Sequence, residues 1–221
     1  MGDKSPLILL LARHGESTAN QSGTFQGQTD TELSPRGSQQ ARLLARHLTD
    51  FPLQAVYSSP LKRVLATAIE LADPHQLAVQ CLSELKELDV GELTGIPYAD
   101  AEKLYPRLMK DFKADLTEVH FPGGETITQL KNRAMAGYEV IRKNHPDGGM
   151  VAIVSHNLCL RVLCVSLLGL PLTFIRQLAL DSAAFSLLSL PPQKPPILVS
   201  WNQTSHLGYL PKLAPGGLLG L

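Results

Sequence analysis

Apolar positions in this chain fall into short continuous runs that alternate with segments of helical period. Leu7–Ala12 is an unbroken apolar run, the pattern of a strand buried on both faces. The polar stretch Ser17–Leu33 that follows reads as a loop. Ser34-Pro35 then predicts a helix start, a serine cap with proline at the first helical position, and Ala41, Leu44, Ala45 and Leu48 recur at helical spacing behind it. A strand is predicted at Ala55–Ser58, then a helix from Ser59-Pro60 with Leu61, Val64, Leu65 and Ala68 on one face, then a third strand at Leu77–Leu82. Gly123-Gly124 opens a long helix that buries Ile127, Leu130, Ala134 and Ile141. Met150–Ser155 reads as a strand and Leu158–Leu168 as a mostly apolar helix. Ala183–Leu190 and Ile197–Trp201 read as two closing strands joined by a proline-rich turn at Pro191–Pro196. This alternation predicts an α/β fold, a three-layer α/β/α sandwich around a mostly parallel sheet.

One segment breaks the rhythm. Thr94–Pro122 is charged, carries Pro97, Pro106 and Pro122, and lacks a long apolar run, so it reads as a helical insertion or lid. The expected organisation is one domain over 1–208, with the insertion at about 94–122 and a flexible tail at 209–221. At 221 residues, 44% hydrophobic, the chain can bury a substantial core unaided. Its zero net charge and lack of a basic stripe argue against a nucleic-acid partner. Val151–Leu172 comes nearest to membrane length but is interrupted by Ser155, His156, Asn157 and Arg161, and Leu7–Ala12 is shorter than a signal h-region. No membrane partner and a cytoplasmic location are expected. Cys81, Cys159 and Cys164 are odd in number and sit among apolar residues, which predicts buried free thiols.

The chemistry lies where the strands end. The first apolar run leads straight into Arg13-His14-Gly15-Glu16. Arginine offers a planar fork of donors matched to phosphate, and histidine is a nucleophile tunable near neutral pH. Gly15 permits a sharp turn or a close approach. The second strand leads into Ser59-Pro60-Leu61-Lys62-Arg63, where a cation in the first turns of a helix is unfavourable unless an anion sits at the N-terminus. Met150–Val154 leads into Ser155-His156-Asn157, and Glu84, Glu87 and Glu92 crowd the segment after the third strand. If these strands are parallel, their carboxyl ends bring Arg13, His14, Arg63 and His156 to one edge of the sheet.

Taken together, these motifs resemble the histidine phosphatase superfamily, in the branch of cofactor-dependent phosphoglycerate mutase and its related small phosphatases. The resemblance rests on Arg13–Asn20, on Ser58–Arg63 with Thr67-Ala68, on Glu87–Gly91, on Pro122–Thr126, on Ser155–Asn157, and on Asn202 and His206-Leu207 near the end. It implies a phosphoglycerate mutase-like fold. It also implies that His14 forms a phosphohistidine, that Arg13, Arg63 and His156 hold the phosphoryl oxygens with Asn20 lining the pocket, and that Glu87 protonates the leaving oxygen. Asn157 stands where many members carry glycine; it is positioned to cap the following helix and to join the phosphate pocket. No metal or cofactor is called for, since the arginines would repel a divalent ion from His14, His156 and Glu87. The expected activity is hydrolysis of a small phosphorylated metabolite. The compact, charge-balanced insertion and the Pro-Gly-Gly-Glu-Thr turn favour this over the alternative, a phosphoglycerate mutase. A non-catalytic binding module would have lost one of these residues, and all are present. Related enzymes are often dimers, so a homodimer is the assembly to test.

Overall fold

The computed structural model describes residues 5–208; the tail expected at 209–221 lies outside the described residues. Strands β1 (Leu7–Arg13), β2 (Leu53–Ser58), β3 (Val79–Cys81), β4 (Gly149–Ser155), β5 (Phe185–Leu190) and β6 (Ile197–Gln203) form one sheet in the order β3-β2-β4-β1-β5-β6. Pairing is parallel among β1 to β4, whereas β5 is antiparallel to both β1 and β6. The mostly parallel sheet is thus as the alternation predicts.

Strand periodicity builds the two outer layers. Along β1, Leu9 and Leu11 face one core while Leu10 and Ala12 face the other. The second core takes Leu44 and Leu48 of α2 (Pro35–Leu48) and Val64, Ala68 and Leu71 of α3 (Lys62–Ala72). The first takes Leu130, Ala134 and Ile141 of α6 (Ile127–Asn144) and the apolar α7 (Asn157–Leu167). The charged insertion folds as α4 (Tyr98–Leu104) and α5 (Pro106–Ala114), whose Ala101, Met109 and Phe112 join that first core.

Several boundaries move for local reasons. A short helix, α1 (Thr18–Ser22), forms in the polar stretch read as loop. It buries nothing and is held by a capping box between Ser17 and Asn20, so no apolar period announces it. Helix α3 starts at Lys62, with Leu61 in the N-cap position but making no side-chain cap, rather than at Ser59-Pro60, and α6 starts after Thr126, whose capping box with Gln129 replaces the expected start at Gly123-Gly124. The third strand shrinks to Val79–Cys81 at the sheet edge, which leaves Cys81 exposed and not buried as expected; Cys159 and Cys164 are buried free thiols.

Gly15 serves the packing of the fold. A Cβ there would lie 2.4 Å from the carbonyl oxygen of Gly37, and one on Gly37 would lie 1.9 Å from that of Glu16. The first turn of α2 therefore rests directly on the backbone that follows His14. Gly37→Ala should destabilise the protein by roughly 1–3 kcal/mol through overpacking, read as a lower urea midpoint. An unchanged midpoint would show that this approach is looser than drawn.

Candidate active site

Register makes the site. Arg13 is paired with Ser155, and Ser58 with Val154, so β1, β2 and β4 end level with one another. The ladder runs one residue further: His14 N donates to Ser155 O at 3.1 Å, and Ala183 N donates to His14 O at 3.0 Å. His156 follows at the end of β4 as the N-cap of α7, and the two imidazoles meet edge to face with centroids 5.3 Å apart.

Each ring has its tautomer dictated by a neighbour. His14 Nδ1 lies 2.6 Å from the carbonyl oxygen of Gly15, which can only accept. Nδ1 therefore carries the hydrogen, and Nε2 keeps its lone pair. His156 Nδ1 lies 3.2 Å from Arg63 Nη2, which can only donate, so Nδ1 accepts and Nε2–H donates to Ser59 Oγ at 2.9 Å. Burial holds both histidines well below the ordinary imidazole pKa, and Arg63 and Arg13 push each the same way. Both rings are neutral at pH 7.

The two arginines are between 1% and 7% exposed. Arg13 Nη1 donates to Leu180 O at 2.6 Å; Arg63 donates to Thr29 O at 2.6 Å and Gly27 O at 3.1 Å. Among the described residues neither is ion-paired, and the Nε of each is buried without a partner. Burial lowers Arg63 to about 10 despite Glu87 and Asp30, and lowers Arg13 in the same direction. The result is a dry, cationic pocket with spare donors, suited to a dianion. The anion required at the α3 N-terminus is supplied by the chain itself: Asp30 Oδ1 accepts from Lys62 N at 2.7 Å.

Glu87 is buried and has an unforeseen contact set. Its Oε1 accepts from Leu88 N at 2.9 Å and Cys159 N at 3.2 Å, and its Oε2 accepts from Leu158 N at 3.2 Å. It therefore caps α7, the role expected of Asn157, which is instead the buried first residue of that helix. Oε1 has both lone pairs engaged, so a proton has one remaining seat, on Oε2. Glu92 is exposed and Glu84 half-buried, turned toward Ser83 and α6. Asn20 stands apart from this group. Its Oδ1 accepts from Ser17 N at 3.0 Å and Ser17 Oγ at 2.9 Å, and among the described residues no hydrogen bond joins it to the histidines or arginines.

Sequence reasoning missed four residues here. Tyr98 is raised to about 12 by burial and lies in the field of Arg13 and Glu87. Arg161 is buried and donates to Ile175 O. Asp30 and Arg133 act through backbone contacts that no motif displays. Among the described residues no group of three or more histidine, cysteine or carboxylate side chains could hold a metal ion, and no helix is long and apolar enough to cross a membrane.

With this geometry in place, the chain belongs to the Histidine phosphatase superfamily (branch 1), which residues 9–204 match. It is a phosphatase of small phosphorylated metabolites in a family that works through a phosphohistidine. Phosphoserine phosphatase 1 of Hydrogenobacter thermophilus is 36% identical over 200 residues, 90% of this chain and 94% of that protein. Probable phosphoglycerate mutase GpmB of Yersinia pestis is 31% identical over 207 residues, 91% and 95% of the two chains. The mycobacterial glucosyl-3-phosphoglycerate phosphatase Rv2419c, in complex with VO3, superposes with a TM-score of 0.80 at 28% identity, over 90% of this chain and 100% of that one.

The lowered histidines fix the sign of the pH response. Below about 6.5 the unfolded chain takes up protons that His14 and His156 in the folded protein refuse, and His206, pushed by burial to about 4, adds to the difference. Stability is therefore full above this range and falls as pH drops through it. The urea midpoint should decline from pH 7 to about 5, and the His14 and His156 ring resonances should show no titration step near about 6.5. A normal step at either ring would contradict a dry pocket.

Proposed function

We propose that this protein hydrolyses phosphomonoesters with His14 Nε2 as nucleophile. The observation that carries the reading is the neutral His14 ring, with its hydrogen held on Nδ1, facing His156 in the field of two buried arginines that form no ion pair among the described residues. Arg13 and Arg63 hold the phosphoryl oxygens and neutralise charge in the transition state, and His156 turns its Nε2–H from Ser59 to a third oxygen. Asn20 can serve only through Nδ2, the donor its capping role leaves over. Asn157, buried directly after His156, is assigned to the same phosphate site in this reading.

In the first step Nε2 attacks phosphorus, the ester P–O bond breaks, and the leaving oxygen takes the proton from Glu87 Oε2. In the second, water attacks the phosphohistidine, Glu87 takes its proton, and the P–N bond breaks. The Hydrogenobacter relative supports a small phosphorylated acid of the phosphoserine type as substrate. A cytoplasmic location belongs to the same reading.

Rapid quench with labelled phosphoserine in the presence of EDTA should trap an acid-labile, alkali-stable phosphoryl group on the wild type and none on His14→Ala. The label should pass to water, not to added phosphoglycerate. Turnover by His14→Ala sinks the nucleophile assignment, and transfer to phosphoglycerate would establish a mutase. Glu87→Gln removes the mobile proton at constant size, so an alkyl phosphate should lose about 10² to 10⁴ in rate. For p-nitrophenyl phosphate, whose leaving group needs little protonation, the loss should be much smaller. Equal losses on the two would show the acid misassigned.

A further inference from the structure

The general acid sits on a segment with little regular structure of its own. After the single 3₁₀ turn at Ser83–Leu85, residues 86–90 belong to neither helix nor strand. An acid carried on such a loop needs external fixing, because proton transfer demands hydrogen-bond reach to the leaving oxygen.

Gln28 Nε2 donates to Glu87 O at 3.1 Å and Ser155 Oγ to Leu85 O at 2.6 Å, but most of the fixing comes from one side chain. Arg133, on α6, donates from Nη1 to the carbonyl oxygens of Glu84 at 2.8 Å and Lys86 at 2.9 Å. From Nη2 it donates to the carbonyl oxygen of Glu87 at 3.1 Å and to Glu125 Oε2 at 2.7 Å, and from Nε to Glu125 Oε1 at 2.9 Å. A guanidinium has five N–H donors, and all five are used. Three grip the acid-bearing segment within four residues, and two form a fork with Glu125.

Glu125 extends the grip past the acid. Its Oε2 also accepts from Asp89 N at 3.0 Å, and its own N donates to Asp89 O at 2.8 Å. The two backbones touch so closely here that a Cβ on Gly124 would lie 2.4 Å from Asp89 O. Residues 84–89 are therefore clamped at both ends, and the Glu87 side chain projects from the middle to the α7 N-terminus.

We propose that Arg133, braced by Glu125, is the positioning residue that sets the Glu87 carboxyl in register with the leaving oxygen. This rests on the reading of Glu87 as the acid. Lysine carries the charge but has three donors in place of five and no planar fork, so Arg133→Lys must release at least two of these contacts.

The test compares Arg133→Lys, Glu87→Gln and the double variant on phosphoserine and p-nitrophenyl phosphate. Displacement of the acid by about an ångström predicts a loss on the order of 10²-fold on phosphoserine for Arg133→Lys, with p-nitrophenyl phosphate nearly unchanged. The alkaline limb of its pH profile should weaken, and adding the substitution to Glu87→Gln should cost little more on phosphoserine. Retained p-nitrophenyl phosphate turnover certifies the fold. Should Arg133→Lys be recovered unfolded, Glu125→Gln carries the same comparison, since its single amide oxygen can take at most two of the three donors (Arg133 Nε, Arg133 Nη2 and Asp89 N) that the carboxylate takes, and its NH2 cannot accept. Equal losses on both substrates, or full additivity, while Glu87→Gln alone is selective, would overturn the positioning role and leave the acid standing. A Glu87→Gln variant without leaving-group selectivity would overturn both.

Discussion

The parallel register of β1 against β4 is the constraint on which everything else depends. Because Arg13 is paired with Ser155, the next residue on each strand is a histidine, and the two emerge side by side. A shift of one residue would turn every side chain of β1 to the opposite core and carry His14 away from His156. The alternation of Leu9 and Leu11 with Leu10 and Ala12 between two separate cores makes that shift costly. The hydrophobic layers thus specify the geometry of the proposed site without touching a substrate.

On this frame the protein assembles an unusual concentration of buried charge. Among the described residues Arg13, Arg63 and Arg161 are all buried, and Glu87 is the only carboxylate buried to the same degree. That carboxylate is spent on the helix amides of α7 rather than on an ion pair with any of them. Burial, reinforced by the field of Arg63 and Arg13, keeps both imidazoles neutral, which a nucleophilic nitrogen requires, and the same burial holds the guanidinium donors away from water for an anion. Carbonyls of the loop at Gly27–Thr29 and of Leu180 orient the forks without discharging them. Nucleophile activation and anion binding therefore share one physical cause.

The amino-acid sequence by itself determined the layers and marked the residues of the proposed chemistry. Continuous apolar runs are strands buried on both faces, helical-period stripes cover them, and reactive residues stand where each run stops. His14, Arg63 and His156 were legible because their meaning depends only on strand ends sharing an edge, and the resemblance supplied Glu87. Tertiary structure decided what depends on meetings between distant backbones. Glu87 rather than Asn157 caps α7, Asp30 supplies the anion at α3, and Arg133 reads three carbonyls that no side-chain pattern reveals. Helix α1 stayed hidden because it buries nothing, and Cys81 proved exposed because its strand is a three-residue edge. The division follows from the forces involved: hydrophobic periodicity is written in consecutive side chains, whereas a hydrogen bond to a remote main-chain group exists only once folding has brought the two together.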